Sequence, residues 1–302
     1  MPSKERVLGD WQRKYLKHLQ YHNRSQGTLK EYGYTLTAGF RSLMEGGMEF
    51  SPTRVGTAEI HHMMTEGFTG TAHSIRRNIS IVGNFLEFCG NPVVKKMYLP
   101  WPRCERRSVD WLDPLTGKKL MNSARGIERV IVQLELNQGM RRVEVVRLEL
   151  GDLPGMIYVK GKGRGGPKPR KLPYHHTTLV ELERWQDERE GRIDQAIRKH
   201  GPVIAPPHLL IHNHTPKGLT QYTPKGISNI MVSLSKRTGI RFTNHTLRRT
   251  FGRKCWQAGM KLETIKELLG HDTIEQTIQY LGIRDDDKVE AMQMLKEFED
   301  AL

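Results

Sequence analysis

Four residues near the C-terminal end of the chain have types and spacings that could do chemistry together. His245 and Arg248 are three residues apart, so in a helix both side chains project from one face. His271 follows, and Tyr280 comes nine residues after it. Arginine binds two phosphate oxygens through its planar fork, histidine exchanges protons near neutral pH, and the tyrosine hydroxyl can act as a nucleophile. The group therefore suits cleavage of a phosphodiester bond.

Each of these residues also has an ordinary structural interpretation. Tyr280 is one of nine tyrosines and could pack at the edge of a helix. His245 could cap a helix or lie in a core, and His271 could be a polar residue at a helix end. The occurrence of all the residues in one short stretch, together with Arg248, favours a shared chemical role.

Apolar spacing predicts three short helices around this cluster. Thr243 or Asn244 is expected to cap the first helix, which ends at Gly259. The second and third helices are predicted over residues 261–269 and 273–280. The third is expected to bury Ile274 and Ile278 and to present the tyrosine.

Two upstream segments add further basic residues. The sequence GMRRVE, with Arg141 and Glu144, comes directly after a helix predicted over residues 126–137. The sequence KGKG, with Lys162, follows the β-rich run 156–159 and opens a stretch rich in glycine and lysine. This pattern predicts a β-hairpin with a basic tip.

Taken in order, these motifs resemble the signature of the tyrosine recombinases, the phage integrase and Xer-type family. The shared features are an arginine after Gly-Met, a lysine within Gly-Lys-Gly, the pattern H-x-x-R, the pair Gly-His and a tyrosine nine residues on. The resemblance covers residues 112–282. It departs from the family pattern at Arg142 and Val143, where a small polar residue is frequent.

The resemblance implies a mainly α (α+β) fold. We expect an N-terminal four-helix SAM-like core-binding domain and a mostly helical catalytic domain with a small antiparallel sheet. Helical apolar patterns between residues 8 and 88 fit the first domain, and the proline- and arginine-rich stretch PWPRCERR fits a linker. The expected boundaries are residues 1–100 for the DNA-binding domain, 101–111 for the linker, 112–284 for the catalytic domain and 285–302 for an acidic C-terminal helix.

The resemblance also implies a reaction and a set of residues. The protein is expected to be a site-specific DNA recombinase that cuts and rejoins strands through a 3′-phosphotyrosyl intermediate, without metal, ATP or another cofactor. Tyr280 would be the nucleophile, and Glu144 would orient a neighbouring side chain. The remaining catalytic candidates are Arg141, Lys162, His245, Arg248 and His271.

Neighbouring residues leave some of these assignments open. Arg142 and Arg249 lie directly beside the two chosen arginines, although the family pattern selects Arg141 and Arg248. Three other lysines, at positions 160, 168 and 171, share the hairpin with Lys162. No cysteine or carboxylate cluster accompanies the five histidines His175, His176, His208, His212 and His214, so no metal site is predicted.

Composition points to a polyanionic partner. The formal net charge is +15 and the pI about 9.8, as expected of a protein that binds nucleic acid. Residues 285–302 carry a net charge of −5, which leaves about +20 on the rest of the chain. Three isolated cysteines, no signal-peptide pattern and no apolar run of membrane-spanning length predict a cytoplasmic protein.

The expected partners are double-stranded DNA recombination sites and other copies of the chain. The resemblance implies a homo-tetramer on two DNA sites, with a monomer or dimer on one site, and accessory proteins are left open. An apolar stripe in the acidic C-terminal helix, at Val289, Met292, Leu295 and Phe298, is expected to contact a neighbouring protomer. The alternative is that this helix folds back on its own domain. The alternative functions are strand relaxation like that of a type IB topoisomerase and DNA-binding regulation without catalysis.

Overall fold

The chain forms two compact units. The computed structural model describes residues 4–99, 101, 110–161, 169–214, 218–283, 287, 289, 292 and 293. Described residues up to 101 belong to the first unit, and those from 110 onward belong to the second. Each unit has its own hydrophobic core. Most of the expected linker, most of the expected C-terminal helix and Lys162 lie outside the described residues.

The first unit contains the four predicted helices. Ser25 and Thr71 cap the second and fourth, since their hydroxyls accept hydrogen bonds from the backbone N–H groups of Thr28 and Ser74. The third helix continues into a short π-helix at Met63–Gly67. The structure adds a short helix that the sequence did not predict. The bounds are α1 Lys4–Tyr21, α2 Gln26–Glu45, α3 Thr57–His62, α4 Ala72–Phe88 and α5 Val93–Lys96.

Aromatic and aliphatic side chains from α1, α2 and α4 form the core of this unit. Phe40 and Phe85 are fully buried and meet edge to face, with 5.5 Å between ring centroids. Tyr15 packs against Phe85 at the same distance. Each fully buried side chain of this size contributes about 1.5–3 kcal/mol through the hydrophobic effect. Packing of these amphipathic faces therefore holds the helices together.

The second unit is mostly helical as predicted. Asp113 and Thr223 cap helices that begin with proline, a residue well suited to the first helical turn. The unit contains α6 Pro114–Ser123, α7 Ile127–Leu136, α8 Arg142–Arg147, α9 His176–His200, α10 Pro224–Thr238, α11 Asn244–Gln257, α12 Leu262–Leu269 and α13 Ile274–Leu281. Among the described helices, none combines the length and apolar character that a membrane crossing needs.

Two antiparallel hairpins accompany these helices. Strands β1 (Ile157–Lys160) and β2 (Pro169–Leu172) form the predicted hairpin. Strands β3 (Ile211–His214) and β4 (Gly218–Gln221) form a second one. From the sequence alone, the five prolines between residues 202 and 225 predict irregular structure, and this prediction is wrong where the two strands pair. The prolines of that region fall before, between and after the two strands, so the strand residues keep the backbone N–H groups that pairing requires.

Helix α7 lies at the centre of the second unit. Every residue from 130 to 136 is buried, including Gln133 and Glu135. Helices α9 and α11 both pack against it, as do α6, α8 and α10. The Gln133 side-chain amide donates a hydrogen bond to the Thr178 hydroxyl at 3.0 Å. A helix buried on all sides must satisfy its polar side chains within the protein, and this one does so through its neighbours.

The three helices predicted around the chemical cluster are present. Thr243 is the N-cap of α11, and Gly270 ends α12 in a left-handed conformation. The prediction that Ile278 is buried in α13 was wrong, since 40% of it is exposed. The helix is rotated so that Thr277 and Leu281 are buried and Tyr280 is half-buried on the inward side.

Candidate active site

Arg141 is held at the start of α8. Its backbone N–H donates to the Glu144 carboxylate at 2.7 Å, while its guanidinium donates to the same carboxylate at 2.9 Å. A second guanidinium N–H donates to the backbone carbonyl of Gly270 at 2.9 Å. Glu144 occupies the third helical position, where a carboxylate commonly satisfies the N-cap backbone. The same acid therefore begins the helix and orients the arginine.

The turn before Arg141 requires glycine. Gly139 has a φ of +62°, and a Cβ atom there would lie 2.3 Å from the Phe251 ring. Other residues would meet both backbone strain and a clash with α11. The close approach allows the Gly139 carbonyl to accept a hydrogen bond from Arg248 on that helix. The turn thus links the segments that carry the two arginines.

Arg248 is buried in the middle of the site, with 2% of it exposed. Its two terminal nitrogens donate to the carbonyls of Gly139 and Leu269. Burial, followed by the charge of Arg141, lowers the pKa of Arg248 to about 10. The guanidinium is still charged at neutral pH.

The C-terminal end of α12 binds three arginines. Arg170 donates through Nε to the carbonyl of Leu268 at 3.0 Å, Arg248 donates to Leu269, and Arg141 donates to Gly270. The last carbonyls of a helix lack partners within it and carry the negative end of its dipole. This helix end therefore favours cations and places three guanidinium groups beside one another.

Glu144 is the carboxylate that these arginines share. Its two oxygens accept from Arg170 at 2.9 and 2.8 Å, and Arg248 lies 3.8 Å away. Burial alone would raise the pKa of Glu144, but the hydrogen bonds and charge of Arg170 and the charge of Arg248 outweigh it and lower the pKa to about 2. One negative charge among three positive charges leaves the group with a net charge of +2. Such a group attracts an anion.

Arg170 was not among the residues selected from the sequence. It lies on β2 opposite Val159, two residues before the buried Leu172. Successive residues of a strand face opposite sides, so Arg170 and Leu172 point the same way. The sequence did contain a signal for Arg170, namely an arginine on the inward face of a predicted strand. The many other basic residues of the hairpin made that signal hard to recognise.

Tyr280 lies between two histidine rings. The ring centroids of His245 and His271 are 5.1 and 4.9 Å from that of Tyr280, and both pairs meet edge to face. The guanidinium carbons of Arg248 and Arg249 are 5.9 and 5.6 Å from the centre of the tyrosine ring. Three helices, α11, α12 and α13, meet at this point. The structure therefore brings together the four residues from which the sequence analysis began.

Both histidines favour the neutral form. Burial, then the charges of Arg248, Arg141 and Arg170, lower the pKa of His271 to about 3. His245 keeps an exposed edge, and its burial on the other side, with the nearby arginine charges, lowers its pKa to about 4. Nδ1 of His271 is 3.0 Å from the Thr277 hydroxyl, which fixes the orientation of the ring. At neutral pH each ring can accept a proton.

The Tyr280 hydroxyl oxygen is buried and has no hydrogen-bond partner among the described residues. Burial raises the pKa of Tyr280, while the charges of Arg248 and Arg249 act in the opposite direction. A phenol in this position keeps its proton at rest. The surrounding positive charge would stabilise the phenolate as the proton leaves.

The family profile described as "Phage integrase family" matches residues 111–286, more than half of the chain and nearly all of the second unit. The chain belongs to the phage integrase family. The matched residues include every element of the site described so far.

Several relatives match over most of the recombinase chain. Tyrosine recombinase XerA of Pyrococcus furiosus is 24% identical over 282 residues, which is 89% of this chain and 88% of that protein. Tyrosine recombinase XerA of Pyrococcus horikoshii is also 24% identical, and the match covers 99% of this chain and 98% of that protein.

A solved structure of the Tn1549 transposon integrase in complex with circular intermediate DNA has a TM-score of 0.71 at 16% identity, over 96% of this chain and 99% of that chain. A lambda integrase dimer bound to a core site has a TM-score of 0.63 at 19% identity, over 92% of this chain and 96% of that chain. At these identities the solved structures show a shared fold.

A cleft of about 480 Å³ opens beside the arginines of the recombinase. Arg141, Arg170, Lys171 and His271 are among its lining residues. Lys160 is directed elsewhere, since its ammonium group pairs with Glu149 and Asp152, each at 3.2 Å. Lys171 borders the cleft, although its side chain faces the opposite side of β2 from that of Arg170. Lys162 and Lys168 lie outside the described residues.

A second buried acid holds the start of α11. Both oxygens of Glu135 accept from the side-chain amide of Asn244, at 2.9 and 3.0 Å. Burial raises the pKa of Glu135 well above its usual range. Asn244 directly precedes His245, so this contact fixes the helix end that presents the histidine. Sequence reasoning missed the pair, because no local pattern connects two residues on separate helices.

Proposed function

We propose that this enzyme is a site-specific DNA recombinase that cuts and rejoins strands through a covalent tyrosine intermediate. The Tyr280 hydroxyl oxygen attacks a DNA phosphorus atom and forms a 3′-phosphotyrosyl bond, and the bond to the 5′ oxygen breaks. The freed 5′-hydroxyl of a partner strand later attacks the same phosphorus and releases the tyrosine. The energy of the phosphodiester bond is kept, so the cycle needs no ATP.

Arg141 and Arg248 bind the phosphate and neutralise the charge that builds up on its oxygens during attack. Their guanidinium groups have five N–H donors each, and the described contacts use only some of these donors. Glu144 and the end of α12 hold both arginines in place before the DNA arrives. Preorganised charge of this kind lowers the barrier without reorganisation during the reaction. Arg170 supports the arrangement through Glu144.

His271 and His245 assist proton transfer on either side of the tyrosine. Both rings are neutral at physiological pH because their pKa values are low, so either could receive the proton that the Tyr280 hydroxyl loses. The leaving 5′ oxygen needs a proton in return. Lys162 is our candidate for that general acid, and Lys171 is the alternative because it lines the cleft beside Arg141.

The observation that carries this proposal is the position of the Tyr280 ring, between two neutral histidines and within 6 Å of the buried arginine. Helix α11 contributes His245 and Arg248, α13 contributes Tyr280, and His271 lies between α12 and α13. A tyrosine that served only to pack a helix edge would not need a buried guanidinium and two histidines beside it. The arrangement supplies a nucleophile, proton acceptors and anion stabilisation together.

Substitution of Tyr280 by phenylalanine tests the proposal, since it removes one oxygen and leaves the ring. On a nicked suicide substrate that carries the target site, wild type should form a covalent protein–DNA adduct visible on a denaturing gel. Tyr280→Phe should bind the same DNA with similar affinity and form no adduct. An adduct that persists in the variant would remove Tyr280 from the nucleophile role.

Strand exchange distinguishes a recombinase from a topoisomerase-like enzyme. A recombinase joins arms from two different sites, whereas a strand-relaxing enzyme changes supercoiling on a single DNA without exchange. A two-site substrate with differently labelled arms and a supercoiled plasmid, assayed side by side, therefore separate the two activities. A protein that binds the site without an adduct in either assay would be a DNA-binding regulator.

We also propose that the enzyme works as a tetramer on two DNA sites. Recombination joins four DNA arms, so one protomer must sense its neighbours. Val289 and Met292, from the apolar stripe of the acidic C-terminal segment, are 58% and 65% exposed. The acidic residues that flank this stripe are repelled by DNA and attracted by a basic protein surface. A head-to-tail contact of this segment with the next protomer would close a ring. Action on chromosomal DNA would place the enzyme in the cytoplasm, at the nucleoid.

A further inference from the structure

A guanidinium group in α11 lies between two tryptophan rings. The guanidinium carbon of Arg253 is 4.5 Å from the ring centre of Trp111 and 4.7 Å from that of Trp256. Arg253 is buried. Flat stacking of a guanidinium on an indole ring suits both groups, because the cation meets the negative face of the ring. Two such contacts restrict the movement of the guanidinium group.

This guanidinium binds Asp287 through both of its terminal nitrogens. One nitrogen donates to one carboxylate oxygen at 2.9 Å, and the other nitrogen donates to the second oxygen. Asp287 is buried as well. Paired, parallel hydrogen bonds of this type fix the geometry of both partners. We call Arg253, Asp287, Trp111 and Trp256 the arginine clamp.

Two features connect the clamp to Tyr280: the short chain distance to Asp287 and the packing of Trp256. Asp287 follows Tyr280 by seven residues. Trp256 packs in the same apolar cluster as Tyr280, with Cys255, Ile265 and Leu269 at its centre. Residue 252, directly before the clamp arginine, is a glycine, and a Cβ atom there would lie 3.3 Å from Leu281. Helices α11 and α13 therefore meet closely beside the clamp.

We propose that Arg253 is a positioning residue for Tyr280. It binds Asp287 and so fixes the chain just beyond α13, which limits how far the helix that carries the tyrosine can move. At its other end, α13 is fixed by the Thr273 cap and by the contact between Thr277 and His271. The inference rests on the proposed function of Tyr280, and it adds a role for residues outside the catalytic cluster.

The physical argument concerns the cost of displacement. A nucleophile must stay close to its in-line position, and a shift of about 1 Å can reduce a rate by roughly 100-fold. The C-terminal end of α13 already packs against α11 through the buried Leu281. The bidentate ion pair beyond that end adds a second restraint, which is directional and limits the remaining movement of the helix. The pair is buried, so loss of one partner leaves the other charge without compensation.

Asp287→Asn is the first test variant, because it keeps the shape of the side chain and removes its charge. Single-turnover cleavage of the suicide substrate, at saturating protein and 25 °C, should slow by roughly 10- to 100-fold. Affinity for the same DNA should change by less than about 3-fold, because the substitution leaves the proposed phosphate-binding arginines intact. Asp287→Glu, which keeps the carboxylate, should recover part of the rate.

Glu181→Gln is the matched control. Glu181 is a buried carboxylate that binds Arg129 at 2.8 Å and also Arg184, and it lies on α9, away from the helix that carries Tyr280. Both substitutions remove a buried negative charge that is paired with arginine. The arginine partners of Glu181 are more exposed than Arg253, so the control variant should lose less thermal stability than Asp287→Asn and should cleave at the wild-type rate at 25 °C.

The outcomes separate the two proposals. If wild type forms no adduct, the proposed function of Tyr280 fails. If wild type forms the adduct and Asp287→Asn cleaves at the same rate, the clamp is a structural contact only and the positioning role is rejected. Equal slowing of cleavage in Asp287→Asn and Glu181→Gln would also reject it, since the effect would then come from general destabilisation. Slow cleavage in Asp287→Asn alone, with partial recovery in Asp287→Glu, supports the role.

Discussion

At the scale of single residues, the site depends on how its positive charges are held. Arg141, Arg170 and Arg248 would repel one another if nothing lay between them. Glu144 and the carbonyl groups at the end of α12 offset that repulsion and leave the group two positive charges in excess. Charges held in place by such contacts need little rearrangement to bind a phosphate.

We expect Arg141→Ala and Arg248→Ala each to slow cleavage by roughly 100-fold or more, the scale observed when a preorganised charge donor is removed. The measurement is single-turnover cleavage of the suicide substrate, with DNA binding measured in parallel. Arg142→Ala is the control, because Arg142 is the exposed neighbour of Arg141 and contacts Ser228. If Arg142→Ala cleaved slowly and Arg141→Ala cleaved at the wild-type rate, the phosphate contact would belong to Arg142.

The low pKa of His271 predicts how stability depends on pH. The folded pKa of about 3 lies below the ordinary value of 6.5, so the unfolded chain binds a proton more readily. The contribution of the neutral ring to stability is therefore complete above pH 6.5 and decreases as the pH falls toward 3. His271→Asn, which cannot titrate, should lose less stability than wild type between pH 7.5 and pH 5.

Urea unfolding of both proteins at the two pH values provides the measurement. The difference between the wild-type and variant free energies of unfolding cancels the titration of all other groups that the substitution leaves unchanged. An equal loss of stability in the two proteins would mean that the ring titrates at its ordinary pKa. In that case His271 would be half protonated near pH 6.5 and would have the basicity of an ordinary histidine.

At the scale of secondary structure, local signals predicted the helices and missed the contacts between them. The Thr243 cap, the left-handed Gly270 and the GMRRVE segment each lie within a few residues of the structure they specify. Contacts such as Glu135 with Asn244, or Arg170 with the end of α12, join residues about 100 positions apart. No local periodicity encodes them, so they required the folded chain.

The same limit explains the errors in α13 and in the second hairpin. Ile278 has the spacing of a buried residue, but the contacts of Tyr280 with its two histidines rotate the helix away from that arrangement. Prolines suggested irregular structure near β3 and β4, although they lie outside both strands. In each case the tertiary environment decided between local alternatives of similar energy.

Gly139→Ala tests the turn between α7 and α8. The Cβ atom would meet the Phe251 ring at 2.3 Å, in addition to the strain of a positive φ. Gly155→Ala is the matched control, since Gly155 has a φ of +73° and nothing within 4 Å of its Cβ position. We expect a loss of about 1–2 kcal/mol for the control, from backbone strain alone. The loss for Gly139→Ala should exceed it by at least about 1 kcal/mol, the scale of overpacking in a well-packed region.

The two glycine variants should also differ in their rates of DNA cleavage. The Gly139 carbonyl binds Arg248, so a shift of the turn moves the buried guanidinium away from the tyrosine. Cleavage by Gly139→Ala, measured at a temperature where the protein is folded, should be slow, and cleavage by Gly155→Ala should match wild type. Equal stability and equal rates in both variants would show that the turn can move away from α11 without cost.

At the scale of the whole molecule, charge is divided along the chain. Residues 1–284 carry about +20, whereas residues 285–302 carry −5. DNA affinity is therefore expected to come from the basic part, and protein contact from the acidic end. Asp287 binds Arg253 of its own chain, while Val289 and Met292 are exposed a few residues later. The boundary between a segment that positions the tyrosine and one that contacts a neighbour would then lie just after Asp287.

Two truncations on either side of that boundary should fail in different ways. A chain that ends at Lys288 keeps the arginine clamp and loses the whole apolar stripe. We expect it to bind and cleave a single site at the wild-type rate, but to lose the pairing of two sites and strand exchange. A chain that ends at Arg284 also loses Asp287, so its single-site cleavage should slow by roughly 10- to 100-fold. Both proteins are measured in gel-shift assays of one-site and two-site complexes and in the suicide-substrate assay. If the chain that ends at Lys288 pairs two sites normally, the protomer contact belongs to another surface. If the two truncated chains cleave at equal rates, the clamp has no role in positioning Tyr280.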